Sequence, residues 1–295
     1  MTMTRTRALA ALGAFAIAPA CSRGSSPASV AVGSKNFTEE LIIGELYAQS
    51  LEKHGISVTR KLNLGGTQIA MAALEKGEID LYPEYTGTAL LNQLKAAPMS
   101  DAKKIYDTVR REYAQRYNLV WLDPAPMNDT QALATTQAIS AKYHITTLSQ
   151  LARAAPQLRM GAIPEFVGRA DGLPGLQQRY GGFKFKDVRL FDIGLRYKAL
   201  LSGDVDVVVA FGTDGQIDAD HLVVFKDDKH LWPAYQVAPV VRKATLDRVP
   251  AIASVLNPLA PLLTDATMRR LNWQVDGSKR DPADVARGFL AAHPA

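Results

Sequence analysis

Two eight-residue stretches of this 295-residue chain carry one pattern. Ala73-Leu74-Glu75-Lys76-Gly77-Glu78-Ile79-Asp80 and Ala199-Leu200-Leu201-Ser202-Gly203-Asp204-Val205-Asp206 both read A-L-x-x-G-[DE]-[IV]-D, 126 positions apart. Each describes a helix that ends at a glycine and passes straight into a strand. An aromatic residue follows each glycine by eight positions, Tyr85 in the first copy and Phe211 in the second. Open α/β sheets bind ligands beyond the carboxyl ends of their strands. A repeated unit therefore sets two aromatic residues at equivalent points of two similar lobes that face a common cleft. The pattern is also a common helix exit, and chance pairing of the two copies stays open at this point.

The surrounding chain repeats the same grammar of short apolar runs and amphipathic segments, which signals βα units and a largely parallel sheet. Strands are expected over residues 30–33, 58–62, 79–82, 158–162 and 205–210. Helices are expected from Thr38-Glu39-Glu40 to near Gly55, with Leu41, Ile42, Leu46 and Leu51 as apolar face, and over 68–76, 101–117, 173–180 and 195–202. Two segments are hard to explain as packing: a turn rich in hydroxyl, aromatic and glycine residues after the strand at 79–82, and the polar run 126–131 between apolar stretches. Polar loops on a rigid α/β scaffold are where binding groups usually sit.

Composition narrows the classes of function. With 47% hydrophobic residues, 21 Gly, 16 Pro and no long polar tract, the chain is neither disordered nor collagen-like. One Cys and 5 His with no H-x-x-x-H spacing leave no disulfide framework and no zinc site, so neither metal nor cofactor is expected. The net charge of +5 falls to +3 when Arg5 and Arg7 are set aside, and no basic cluster is interleaved with aromatics, which argues against nucleic acid. G-x-S-x-G, H-E-x-x-H and P-loop patterns are absent, and no His is matched to a nucleophile, so an enzyme is not expected.

Residues 1–20 read as an export signal: Arg5 and Arg7 precede an apolar run, 8–20, that is too short to span a bilayer. Residues 21–28 form a polar tether. Cys21 at the end of the apolar run resembles the acylation site of a bacterial lipoprotein, although Ala18 and Pro19 depart from the usual motif. The alternative is cleavage after Ala18-Pro19-Ala20 with Cys21 a bystander. Either way the mature protein is expected in the periplasm or cell envelope, held to the membrane only through lipid on Cys21.

Four stretches then stand together: Gly33-Ser34-Lys35-Asn36-Phe37-Thr38-Glu39, the run 77–88 through Tyr82-Pro83-Glu84-Tyr85-Thr86-Gly87-Thr88, Glu165-Phe166 to Arg169-x-Asp171-Gly172-Leu173, and Thr213-Asp214-Gly215-Gln216-Ile217. In this order they resemble the substrate-binding component of osmoprotectant (glycine betaine, choline, carnitine) ABC importers, from about Val30 to the C-terminus. The resemblance implies a two-lobed type II periplasmic-binding-protein fold, each lobe a mixed, mostly parallel sheet flanked by helices. Lobe I would comprise 29–129 and 237–295, and lobe II 130–236. It also implies a monomer that binds a quaternary amine and hands it to the transmembrane subunits of a permease. A sensory solute-binding domain is the variant reading of the same fold.

A trimethylammonium group has no N–H to donate and is held against aromatic faces. Relatives use a cage of Tyr, and the resemblance places Tyr85 and Tyr235 in it. Phe211 keeps the ring without the hydroxyl, and Gln131 stands where relatives commonly have Tyr. Gln131 implies weaker hold on a bare trimethylammonium, or a more polar ligand such as ergothioneine. Asp129 matches an acidic or amide position beside the cage; taken alone it reads equally as a local turn cap. For a ligand carboxylate the matched groups are Lys35, Thr88 and Arg169, drawn from both lobes. Without the resemblance, Lys35 reads as a solvated cation and Arg169 as the partner of Glu165 one turn away.

Overall fold

The computed structural model describes residue 2 and residues 29–293, so the export signal, the tether and Cys21 lie outside the described residues. The alternating apolar runs form ten strands in chain order: β1 (Val30–Gly33), β2 (Val58–Lys61), β3 (Leu81–Tyr85), β4 (Leu119–Trp121), β5 (Gln131–Thr135), β6 (Arg159–Ala162), β7 (Asp187–Leu190), β8 (Val207–Phe211), β9 (Val223–Val224) and β10 (Val237–Arg242). They make two five-stranded sheets, ordered β2-β1-β3-β10-β4 and β7-β6-β8-β5-β9. In each, three neighbouring strands run parallel, a fourth inserts antiparallel, and the edge strand beyond it pairs antiparallel again. The sheets are thus mixed, where the local pattern alone read as largely parallel. The inserted strands, β10 and β5, are the ones with which the chain returns to the first sheet and enters the second.

The two echoed octapeptides occupy the same place in the two sheets and make the same bonds. Helix α1 spans Thr38–Lys53 and helix α2 spans Thr67–Lys76; α2 and the helix Arg196–Leu201 each lead to a left-handed glycine, Gly77 (φ 75°) and Gly203 (φ 76°). A side chain at either would be strained in that conformation. Glu78 N donates to Ala73 O at 2.8 Å, and Asp204 N to Ala199 O at 2.9 Å. The aspartates that close each copy clamp the neighbouring strand twice. Asp80 N donates to Ala31 O at 2.7 Å while Asp80 Oδ2 accepts from Ala31 N at 2.8 Å. Asp206 N donates to Arg159 O at 2.8 Å while Asp206 Oδ2 accepts from Arg159 N at 2.8 Å. Bond-for-bond identity at both copies excludes a chance match of a helix exit.

Each sheet is covered on both faces. Leu81, Tyr85, Val237 and Val241 face one cluster with Ile42, Ile43 and Leu46 of α1, while Tyr82, Ala238 and Val240 face the other with Met71 and Leu74 of α2. In the second sheet Leu133, Val207 and Val209 point one way, and Ala132, Ala134, Val208 and Ala210 the other. Each such aliphatic side chain contributes about 1.5–3 kcal/mol by leaving water. Strand β3 runs to Tyr85, three residues beyond the expected end at 82, because β10 pairs alongside it from Val237↔Tyr85 to Val241↔Leu81. That partner lies about 150 residues away and leaves no local signal. The expected loop therefore starts later, as a short helix Thr86–Thr88. Among the described residues no helix is long and apolar enough to cross a membrane.

Candidate functional site

Strands β3 and β8 end at their carboxyl edges in Tyr85 and Phe211, which face one another across the gap between the sheets. Phe37, from the turn that opens α1, lies between them: its ring centroid is 6.2 Å from Tyr85 and 6.3 Å from Phe211, with interplanar angles of 28° and 11°. A three-ring stack thus joins the two copies of the repeat. All eight side chains singled out from the sequence (Lys35, Tyr85, Thr88, Asp129, Gln131, Arg169, Phe211 and Tyr235) line the cavity beside this stack, together with Phe37, Glu165 and Phe191. Its free volume is about 150 Å³.

The aromatic side is backed by carboxylates. Tyr85 Oη donates to Glu39 Oε1 at 2.8 Å, and Glu39 Oε2 accepts from Asn272 Nδ2 at 2.9 Å. The same Asn272 amide donates to Thr213 O at 2.9 Å, and Thr213 Oγ1 donates to Asp129 Oδ1 at 2.6 Å. Burial pushes the Glu39 carboxyl up to about 7, against the hydrogen bonds from Asn272 and Tyr85 that favour its charge. Asp129 is pushed well above the usual carboxylate range by burial and then by the charges of Glu39 and Asp214. Its partner Thr213 is 84 residues away, which sets aside the local turn cap. Asp214, by contrast, is paired with the buried Arg196, whose guanidinium also lies over the Phe211 ring at 5.2 Å.

The cations expected to meet a carboxylate already hold carboxylates of the chain. Lys35 is 3% exposed rather than solvated. Its Nζ is 2.6 Å from Glu84 Oε1 and 3.6 Å from Glu40 Oε1, and 4.8 Å from the Tyr85 ring centroid. Arg169 pairs not with Glu165 but with Asp171, as a two-bond fork: Nε to Oδ1 at 2.7 Å and Nη2 to Oδ2 at 2.6 Å. Its Nη2 reaches Thr88 Oγ1 at 3.4 Å across the gap. Asp171 is fully buried and also accepts from Tyr235 Oη at 2.6 Å and Asn92 Nδ2 at 3.1 Å. Burial raises the Asp171 carboxyl, but the Arg169 fork outweighs it and holds the group below its ordinary value. Arg169 therefore fixes the Tyr235 hydroxyl through Asp171 while one edge of its guanidinium borders the cavity.

Gln131, first residue of β5, sits opposite Phe211 in the antiparallel register. Its Oε1 is buried and finds no hydrogen-bond partner among the described residues. Sequence reasoning missed Phe37, Glu39, Glu84, Asp171, Thr213 and Asn272 as parts of the site. The first five lie inside the four motifs, so their positions were legible and their roles were not. Asn272 had no signal at all, since it meets Glu39 from 233 residues away. Among the described residues no group of three or more His, Cys, Asp and Glu is placed to hold a metal ion.

A family profile described as the substrate-binding domain of ABC-type glycine betaine transport systems matches residues 28–292. The chain is 36% identical over 301 residues to a glycine-betaine-binding protein of Pseudomonas aeruginosa, covering 99% of this chain and 94% of that one. It is 38% identical over 260 residues to the ergothioneine transport permease/ergothioneine binding protein EgtU of Helicobacter pylori, covering 88% of this chain but only 46% of that longer protein. A crystal structure titled glycine betaine/carnitine/choline ABC transporter superposes with a TM-score of 0.73 at 33% identity, over 90% of this chain and 98% of that one.

Proposed function

Because the chain belongs to the family of substrate-binding domains of ABC-type glycine betaine transport systems, with their type II periplasmic-binding fold, we propose that it is the extracytoplasmic receptor for a quaternary-amine solute such as glycine betaine, choline or carnitine. One observation carries the reading. Tyr85, Phe37 and Phe211 stack along one cavity with Tyr235 on its lining, and buried carboxylates stand behind the rings. A permanent cation without N–H groups is held best by aromatic faces in a desolvated site, at about 2 kcal/mol or more. The finer assignments belong to the same proposal: lobe I as 29–129 and 237–295, lobe II as 130–236, lipid on Cys21, a monomeric receptor, and delivery to permease subunits.

Bonds run from one unit to the other: Arg169 to Thr88 on the cavity lining, and Asn92 to Asp171 and Asn272 to Thr213 behind it. A ligand that touches both units adds its own bridges to these and favours the closed arrangement, which supplies the differential affinity that a conformational shift needs. Arg169 at the cavity edge and Thr88 are the proposed partners of a ligand carboxylate.

The unpartnered Gln131 Oε1 favours a second reading, a betaine whose body also carries an N–H or O–H donor, ergothioneine being one of that chemistry. An unmet buried acceptor costs about 1–3 kcal/mol, and a ligand that meets it is selected by that amount. Calorimetric titration with glycine betaine, choline, carnitine, ergothioneine and proline in parallel tests both readings. Binding of one quaternary amine at micromolar or better, about −8 kcal/mol, is the expected result. Silence toward all four quaternary amines would end the receptor reading for this class. Gln131→Tyr is expected to tighten glycine betaine and to weaken a donor-bearing betaine; tightening of both would remove Gln131 from the specificity argument.

A further inference from the structure

A quaternary ammonium brings a full positive charge into a space lined on one side by aromatic rings, and rings supply only a quadrupole. The charge that answers it lies one layer back. Glu39 is 3% exposed; it accepts from the Tyr85 hydroxyl and is linked through Asn272 and Thr213 to Asp129 on the cavity lining. We infer that Glu39 is a specificity-determining positioning residue: its carboxyl group, buried behind Tyr85 and bonded to the ring hydroxyl, supplies the negative charge that answers a cation on that ring, so the site selects cations and gives up the proton of Glu39, where it holds one, on binding. The inference rests on the receptor reading and concerns how that same site discriminates.

The groups facing Glu39 support this from every element packed against it. On its own helix Glu40 is buried and pushed up to about 8 by burial, with Lys35 lowering it. Lys35 is spent on Glu84 at 2.6 Å and leaves little positive charge for Glu39. From β3 comes the Tyr85 hydroxyl, and from the chain before β5 comes Asp129, whose carboxyl burial and then the charge of Glu39 push upward. From beyond β8 come Thr213 and Asp214, which is paired with Arg196 and still raises the Glu39 carboxyl by its charge. From the helix Asp265–Asp276 come the neutral Asn272 amide and Asp276, which is occupied by Thr38 Oγ1 at 2.5 Å and Gln216 Nε2 at 3.1 Å. No cation among the described residues contacts the Glu39 carboxylate: Lys35 stands over the Tyr85 ring at 4.8 Å but is bonded to Glu84, and a bound ligand brings the positive partner that Glu39 lacks.

The sign follows from linkage. The free protein holds the Glu39 carboxyl near 7, and a cation favours its ionised form. Below that pH, binding must release the proton, so affinity falls by up to about tenfold per pH unit; above it, affinity is flat. Calorimetric titration with choline and with glycine betaine from pH 6 to 8.5, in two buffers of different ionisation enthalpy, reads affinity and proton release together. Expected are affinity about tenfold weaker at pH 6 than at pH 8 and release approaching one proton per ligand at pH 6. Glu39→Gln is expected to bind about tenfold more weakly at pH 8 and to lose both the pH profile and the proton release. Binding of either probe without pH dependence, or a Glu39→Gln profile unchanged from the parent, would overturn the inference and leave the receptor standing. The proton count in the unmodified protein decides even if the variant does not fold, and absence of binding by both probes at every pH would overturn the receptor reading with it.

Discussion

Arg169→Ala is expected to destabilise the protein by about 3–5 kcal/mol at pH 7, the range seen when one partner of a buried ion pair is removed. The loss is large because Asp171 is fully buried and would keep only the neutral donors Tyr235 and Asn92. Arg169→Lys should recover little, since an ammonium cannot form the two-bond fork. Replacing both partners, Arg169→Met with Asp171→Leu, removes the buried charge but leaves the Tyr235 hydroxyl and the Asn92 amide without their acceptor, so only part of the stability should return while binding stays impaired. Asp171 is depressed in the folded state, so the stability it contributes is present above its unfolded value of about 3.9 and is lost as pH falls through the lower folded value. The Arg169→Ala deficit should accordingly be full at pH 7 and shrink in strong acid. Urea unfolding of the variants at pH 7 and at low pH checks this, and a variant that melts with the parent at pH 7 would sink the account. Choline and glycine betaine should both bind less well, glycine betaine the more if its carboxylate meets the guanidinium edge.

Tyr85→Ala is expected to weaken quaternary-amine binding by at least about 30-fold, the equivalent of one desolvated cation–π face of about 2 kcal/mol. The ring does three jobs that alanine cannot: it offers a face to the cavity, stacks on Phe37, and holds the Glu39 carboxylate in place. Truncation of so large a buried side chain also removes about 3–5 kcal/mol of stability, so affinity has to be read beside a melting curve. Tyr85→Phe separates the jobs. It keeps face and stack, loses only the bond to Glu39, and should bind within about tenfold of the parent while shifting the pH profile. If Tyr85→Ala stays folded and binds choline and glycine betaine like the parent, the aromatic site is not where the cation sits.

The relation between repeat and site explains why so much was legible in advance. Glycines at 77 and 203, aspartates at 80 and 206 and aromatics at 85 and 211 are all local features, and local features report backbone conformation and the face a residue presents. From them the helix-glycine-strand units, the two-lobed plan and the position of a ring at the end of each central strand could be read from sequence. The motif residues around the cavity were named by resemblance to a family rather than by local pattern: Arg169 follows the end of the helix Pro164–Gly168, and Asp129 and Tyr235 lie outside helices and strands.

Partnership was decided only in three dimensions. Nothing near Arg169 or Lys35 in the chain says which of several nearby acids each will take; Asp171 and Glu84 win over Glu165 because the fold brings them to bonding distance in a buried setting, where an unpaired charge is too costly to leave. The length of β3 depended on β10, and the state of Glu39 depended on Tyr85, Asn272 and the distance to any cation. Local sequence determined where the chain turns and what faces inward. Hydrogen-bond partners and the protonation of buried groups came from tertiary structure, because both depend on which distant atoms displace water from a group.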